Sequence, residues 1–228
     1  MRRRAGAGID RARTILADTG QRMTGLSVLL LGIGLGLRHA ADADHVVVVS
    51  ALIQRELGIW RSLRIAALWG AGHTLSFLGL GLWIVLGGLQ VTAAFERFAE
   101  ALVATMLIGL GLLHLVRSWT RRPTESAPER AGRASRRLQP LLVGVVHGLA
   151  GSASIALLAV TTIASPMLAA AYLGLFGLGT VLGMVALTVV MAGPMGWTMR
   201  RGGLLERSVT TIAALLSIAL GVAVLVAF

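Results

Sequence analysis

The sequence contains no cysteine and no lysine, few aromatic residues, and only 10 acidic residues in a chain of 228. The absence of cysteine excludes disulfides, thiolate metal sites and thiol-based electron relays. Any metal site must therefore be built from histidine, carboxylate and backbone groups.

All 21 basic residues are arginine, and the formal net charge is +11. In a soluble protein such a charge would suggest a nucleic-acid partner. Here the arginines lie in tails and loops between long apolar runs, as in proteins whose basic residues anchor and orient them in a bilayer. We therefore expect the lipid bilayer as a partner and no nucleic acid.

Hydrophobic residues make up 56% of the chain, and the mean hydropathy is +0.80. Runs of about 20 apolar residues, long enough to cross a bilayer, recur along the sequence. No cleavable signal peptide is evident. The pattern predicts an all-α, multi-pass integral protein of a bacterial inner membrane. The six predicted spans cover residues 23–53, 63–89, 98–117, 140–164, 167–192 and 206–228.

The chain divides into two related halves. Residues 1–22 form a basic N-terminal tail, 23–117 a first three-helix repeat, 118–139 an arginine-rich loop and 140–228 a second three-helix repeat. The matched positions are a Gly-x-x-His motif ending at His39 and at His147, a glycine-rich stretch at 70–74 and at 177–181, and a glycine at 111 and at 221. A repeat of three spans returns the chain on the other side of the membrane, so the halves are predicted to be inverted.

All five histidines fall inside the predicted spans. The only acidic residues well inside a span are Asp42 and Asp44. Ionisable groups at membrane depth are costly and usually mark an ion or proton path. Each buried imidazole also needs partners for its ring nitrogens, so it indicates a polar pocket or a ligand. The histidines are His39, His45, His73, His114 and His147.

The local geometry of residues 36–45, GLRHAADADH, leaves two alternatives. In a regular helix Asp42 lies about 60° from both His39 and His45, whereas Asp44 points to the opposite side. In a broken helix, eased by the glycines just upstream, all four side chains could converge. Both alternatives remain open.

A site of imidazoles and carboxylates without sulfur suits borderline divalent ions such as Ni²⁺, Co²⁺ or Zn²⁺. The candidate ligands beyond the first span are His73 and His147, each in a stretch rich in small residues that permits close helix approach. His114 is expected near the membrane interface. Arg38 either neutralises an aspartate or extends its side chain to the interface.

Residues 36–45 resemble the signature of the nickel/cobalt transporter (NiCoT) family, in which a histidine is followed after four residues by Asp-His. The Gly-His-Thr sequence at 72–74 is similar to the second histidine-bearing stretch of that family. The resemblance implies a secondary permease for Ni²⁺ or Co²⁺, with His39, Asp44 and His45 at the functional positions of the motif and Asp42 within it.

The sequence departs from that family in two respects. Typical members have eight spans, one of them before the signature helix, and carry a Phe-Asp-Thr motif in the later half. Six spans are predicted here, and residues 146–152, VHGLAGS, stand in place of that motif. This stretch is more similar to shorter relatives associated with urease and with metal efflux.

We therefore expect a secondary transporter with metal ligands drawn from the six residues His39, Asp42, Asp44, His45, His73 and His147. It would have no permanently bound cofactor, and Ni²⁺ or Co²⁺ would be the transported ion. The expected partners include urease or hydrogenase metal-delivery proteins. Two alternatives stay open: a haem-binding membrane electron carrier, and a proton-coupled exporter of a small anion that uses Arg38. No catalytic centre is recognisable, so enzymatic activity is not expected.

Overall fold

The structure, a computed structural model, describes residues 25–54, 56, 58–87, 92–120, 133–149, 160 and 162–227. Regular structure within these ranges is helical, and they contain no strand. The helices are α1 (Gly25–His39), α2 (Ala43–Ile53), α3 (Ile59–Gly87), α4 (Ala93–Thr120), α5 (Arg133–Gly148), α6 (Pro166–Arg201) and α7 (Gly203–Val226).

Four of these helices, α3, α4, α6 and α7, are long and apolar enough to cross a membrane. The bent pair of α1 and α2 adds a fifth crossing if the two are counted as one span. Large apolar side chains are exposed along the helices, among them Trp60, Leu86, Val190 and Leu204. Apolar surface of this extent would be costly in water and is expected where helices face lipid. The protein is thus a multi-pass membrane protein, and its described part is helical.

The first three predicted spans correspond in order to the α1–α2 pair, α3 and α4, and the last two correspond to α6 and α7. For the predicted span at 140–164, α5 covers the first part, and residues 150–159 and 161 lie outside the described residues. The basic tail at 1–22 also lies outside them. Of the predicted loop at 118–139, residues 118–120 end α4 and 133–139 begin α5, while 121–132 are not described.

The first predicted span is broken, which decides between the two geometries of the signature. Helices α1 and α2 meet at 57°. Between them the amide of Ala41 donates to the carbonyl of Arg38 and the amide of Asp42 to that of His39, at 2.9 and 3.0 Å. These tight bonds end α1, and extended backbone at Asp42 (φ −62°, ψ 150°) begins α2.

Helices from opposite halves of the chain pack backbone to backbone at glycines. A Cβ on Gly36 would collide with the carbonyl of Phe176 in α6, and a Cβ on Gly144 would collide in the same way with that of Trp69 in α3. Gly72 and Gly179 make a second such pair, against Leu141 and Ile33. Only a missing side chain permits this approach. Helix α1 therefore packs on α6, and α5 on α3.

Helices α4 and α7 form a separate close pair. A Cβ on Gly111 would lie 2.7 Å from the carbonyl oxygen of Ala214, and a Cβ on Gly221 would lie 2.7 Å from that of Ala104. The hydroxyl of Ser217 donates to the carbonyl of Leu107 across this interface at 2.7 Å. Helix α2 lies between this pair and the other helices, with Val48 and Val49 in a central apolar cluster.

Candidate metal centre

The break between α1 and α2 brings ligand-type side chains from four helices together. His39 is the last residue of α1, and Asp44 and His45 lie in the first turn of α2. His73 comes from the middle of α3, and His147 from the last turn of α5. The four imidazoles are buried. The close glycine contacts of α3 with α5 and of α1 with α6 hold these helices at the distance that the cluster requires.

Three histidines form one group at the end of α1. His39, His45 and His73 each offer a ring nitrogen, and these atoms all lie within 4.8 Å of one another. The Nε2 atoms of His39 and His73 are 3.3 Å apart. Two imidazole nitrogens at this distance can share a proton or bind one cation between them.

A second group adds the carboxylate of Asp44. Its Oδ1 lies 3.0 Å from Nδ1 of His45, and its Oδ2 lies 3.1 Å from Nε2 of His147. Asp44, His45 and His147 likewise offer atoms within 4.8 Å of one another. The carboxylate also accepts a hydrogen bond from the amide of His45 at 2.9 Å.

His45 is the residue that both groups share. Its ring centroid lies 4.5 Å from that of His39, 5.1 Å from that of His73 and 4.7 Å from that of His147. Its Nε2 atom is buried and has no hydrogen-bond partner among the described residues, as is true of Nδ1 of His73 and Nδ1 of His147. Buried polar atoms are usually paired, so an unpaired nitrogen on the ring that both groups share indicates a ligand that the described residues do not supply.

Asp42 belongs to neither group. Its carboxylate is 43% exposed, and its Oδ2 lies 3.0 Å from Nδ1 of His39. Aspartate at the start of a helix commonly caps the helix through its side chain, but Asp42 makes no such bond. The position of Asp42 suits a residue that orients the His39 ring rather than one that reaches the shared space, so the regular-helix alternative, in which Asp42 chelates and Asp44 points away, does not describe this site.

Two aromatic residues that the sequence analysis did not select line the centre. The Trp69 ring lies 5.4 Å from that of His45 and 5.9 Å from that of His147, and the Phe176 ring lies 5.4 Å from that of His39. Trp69 is fully buried. Trp69 and His73 are four residues apart on α3, a spacing that places both on one helix face. This spacing was the sequence signal that could have predicted Trp69 beside the centre.

The two remaining polar candidates belong to neither ligand group. His114 contacts the carbonyl of Leu110 through Nδ1 at 2.7 Å, one turn earlier in α4. Arg38 is exposed, next to the buried His39. The centre is therefore built from four imidazoles and one carboxylate, a donor set that suits borderline divalent transition metals.

The fold and this cluster define a multi-pass membrane protein with a candidate transition-metal site in its interior. The chain is 32% identical, over 184 residues, to the urease accessory protein UreH of Bacillus sp. (strain TB-90), and the match covers 77% of this chain and 81% of the relative. The chain belongs to the family of this urease accessory protein, and the relationship supports the nickel/cobalt transporter type that the signature resembles. No family model matches the chain, and no solved structure matches it significantly.

Proposed function

We propose that the protein is a secondary permease for a divalent transition-metal ion, Ni²⁺ or Co²⁺, in a bacterial inner membrane. The observation that carries the proposal is the convergence of His39, Asp44, His45, His73 and His147 at the break between α1 and α2. Ionisable side chains gathered inside a membrane bundle are typical of an ion path. The proposal assigns no catalysis and no resident cofactor to the chain, since the ion is cargo.

The chemistry of the cluster fits a dehydrated dication. An ion that enters the bundle loses bound water, and the imidazole nitrogens replace those ligands while the carboxylate of Asp44 offsets part of the charge. Nε2 of His45, which has no hydrogen-bond partner among the described residues, is available for this role. No nucleotide-binding motif is present in the sequence, so the membrane potential or an ion gradient would drive transport.

The proposed architecture is a pair of inverted three-helix repeats, 23–117 and 140–228. Reciprocal contacts support it. Gly36 of the first half approaches Phe176 of the second as Gly144 of the second approaches Trp69 of the first. The same reciprocity relates Gly111 on Ala214 to Gly221 on Ala104. Alternating access would then arise at the interface between repeats.

We further propose that the imported ion serves metal-dependent enzymes through their delivery proteins. The support is the relative, which is named a urease accessory protein. Urease or hydrogenase metal-delivery proteins are therefore the partners to test first, beside the bilayer itself.

The geometry gives less support to the two alternatives from the sequence. A haem between two histidines needs room for a macrocycle, but the Nε2 atoms of His39 and His73 are 3.3 Å apart. An anion exporter built on Arg38 needs that guanidinium in the path, but its side chain is exposed beside the cluster rather than inside it. Both alternatives therefore rank below a cation permease.

Radioactive nickel and cobalt fluxes in cells test the proposal. Cells expressing the wild type should accumulate ion faster than empty-vector cells, or lose it faster after preloading, and His45→Ala should abolish the difference. His114→Ala is the matched control, since it removes a histidine outside the centre and should leave the flux unchanged. Equal fluxes in wild-type, His45→Ala and empty-vector cells would disprove the proposed function.

A further inference from the structure

The two ligand groups are separate triads that overlap at one residue. His39 and His73 belong only to the first, and Asp44 and His147 only to the second. His45 lies between them, with Nδ1 beside the carboxylate of Asp44 and with Nε2 buried and unpaired in the described part of the chain. The centre therefore presents two sets of three ligands rather than a single shell around one point.

The two triads exclude each other as binding sites. A neutral imidazole has one nitrogen with a free lone pair, because the other nitrogen carries the proton. His45 can therefore complete only one triad at a time. Two dications a few ångströms apart in a medium of low dielectric constant would also repel strongly.

We propose that the centre holds a single ion at two alternating stations: a three-histidine station (His39, His45, His73) and a carboxylate station (Asp44, His45, His147). This inference rests on the proposed transport function and describes how the cargo moves within the site. The ion leaves the nitrogens of His39 and His73, takes an oxygen of Asp44 and a nitrogen of His147, and keeps His45 as a ligand. Each of the four imidazoles holds one ring proton in either state, on a nitrogen that does not bind the ion, so the exchange neither consumes nor releases protons.

The arrangement has a physical advantage for transport. A deep single site would hold its ion too long, whereas two overlapping sites let the ion advance while part of its shell is retained. The stations also differ in charge. Three neutral imidazoles leave the full double charge on the ion, and the carboxylate station reduces it by one.

A double-mutant cycle on nickel binding tests the inference in purified protein. Ni²⁺ is titrated calorimetrically into wild type, His73→Ala, His147→Ala and the double variant. With two exclusive stations, the observed association constant is the sum of the association constants of the two stations. Each single variant keeps one complete triad. At least one of the two single variants therefore binds nickel within about twofold of wild type. The double variant has no complete triad, so its fold-loss should exceed the product of the two single losses.

A single shared shell gives the opposite result. Both single variants would then lose affinity, by about tenfold or more each, and the double loss would equal or fall below their product. That outcome, or a double variant no weaker than His73→Ala alone, would overturn the two stations. His73→Gln and His147→Gln, which retain a polar side chain, repeat the cycle if an alanine variant fails to fold, and His114→Ala controls for loss of any histidine.

The cycle separates this inference from the proposed function. If wild-type cells show no nickel or cobalt flux but the cycle shows the excess loss, the stations remain and the transport assignment fails. If flux depends on His45 but the affinity loss of the double variant equals the product of the two single losses, the transport assignment remains and the two-station inference fails.

Discussion

Nε2 of His147 lies 3.1 Å from Oδ2 of Asp44, although 103 residues of chain separate the two. Asp44 lies in the first turn of α2, and His147 in the last turn of α5. A carboxylate at a helix N-terminus is stabilised by the positive end of the helix dipole. The contact therefore joins the kinked signature to the second half of the chain through a favourable helix end.

The two aspartates of the signature should act on different stations. Asp44→Asn replaces the partly buried carboxylate between two imidazoles, whereas Asp42→Asn changes a half-exposed group that contacts His39. We expect Asp42→Asn to weaken only the three-histidine station, by roughly tenfold as for residues that orient a ligand, and Asp44→Asn to remove the carboxylate station. At least one of the two variants should therefore bind nickel within about twofold of wild type. Titration calorimetry on the purified variants measures both. Losses of about tenfold or more in both variants would contradict the separate roles given to the two residues.

Bound nickel should quench the fluorescence of one tryptophan. Trp69 packs against His45 and His147, whereas Trp60, Trp83, Trp119 and Trp197 are exposed on the outside of the bundle. Open-shell Ni²⁺ or Co²⁺ at the centre would quench Trp69, but Zn²⁺, which has a filled d shell, would not. Trp69→Phe should remove the quenching while the other tryptophans still emit.

Trp83→Phe is the matched control for that experiment, because its ring is exposed and lies in the same helix. Quenching that survives in Trp69→Phe would place the ion away from the imidazole cluster.

The sequence predicted the membrane class and six candidate ligands, five of which lie together in the structure, because both predictions depend on strong local signals. Their role as metal ligands stays a prediction. Long apolar runs are evident without a structure, and histidines are rare at membrane depth unless they serve an ion or proton path. The break after His39 was not decided, since glycines upstream permit a kink without requiring one. Which of Asp42 and Asp44 lies with the histidines depends on that break, so the sequence left this choice open as well.

Features that depend on contacts between distant helices were beyond the sequence. Trp69 lines the centre because Gly144 brings α5 against its backbone, a contact that no local pattern predicts. The ends of the helices also extend beyond the predicted spans, for example at α6, which continues to Arg201 through Pro194. Hydropathy alone does not register such extensions, since helices can continue past the apolar core.

Glycines at the helix crossings should be intolerant of side chains. Gly36→Ala and Gly144→Ala each place a methyl group against a backbone carbonyl, of Phe176 and of Trp69. Overpacking of this kind costs about 1–3 kcal/mol, which would lower Tm by several degrees in a protein of this size. Gly34→Ala is the control, since nothing lies within 4 Å of a Cβ there. Thermal unfolding in detergent should show a lower Tm for the two crossing variants and a Tm close to wild type for the control.

The α4–α7 pair should contribute to stability but not to metal binding. Gly221→Val would drive a larger side chain into the carbonyl of Ala104 and into Ile108, and so separate the two helices. We expect a fall in the free energy of unfolding of about 1–3 kcal/mol. The nickel affinity of the folded fraction should stay within about twofold of wild type, because neither helix supplies a ligand to the centre. Gly109→Val, where a Cβ meets nothing within 4 Å, is the matched control in α4. Thermal unfolding and nickel titration are measured on the same samples. If Gly221→Val weakened nickel binding as much as it weakened folding, the α4–α7 pair would have to position the imidazole cluster, and the prediction would be wrong.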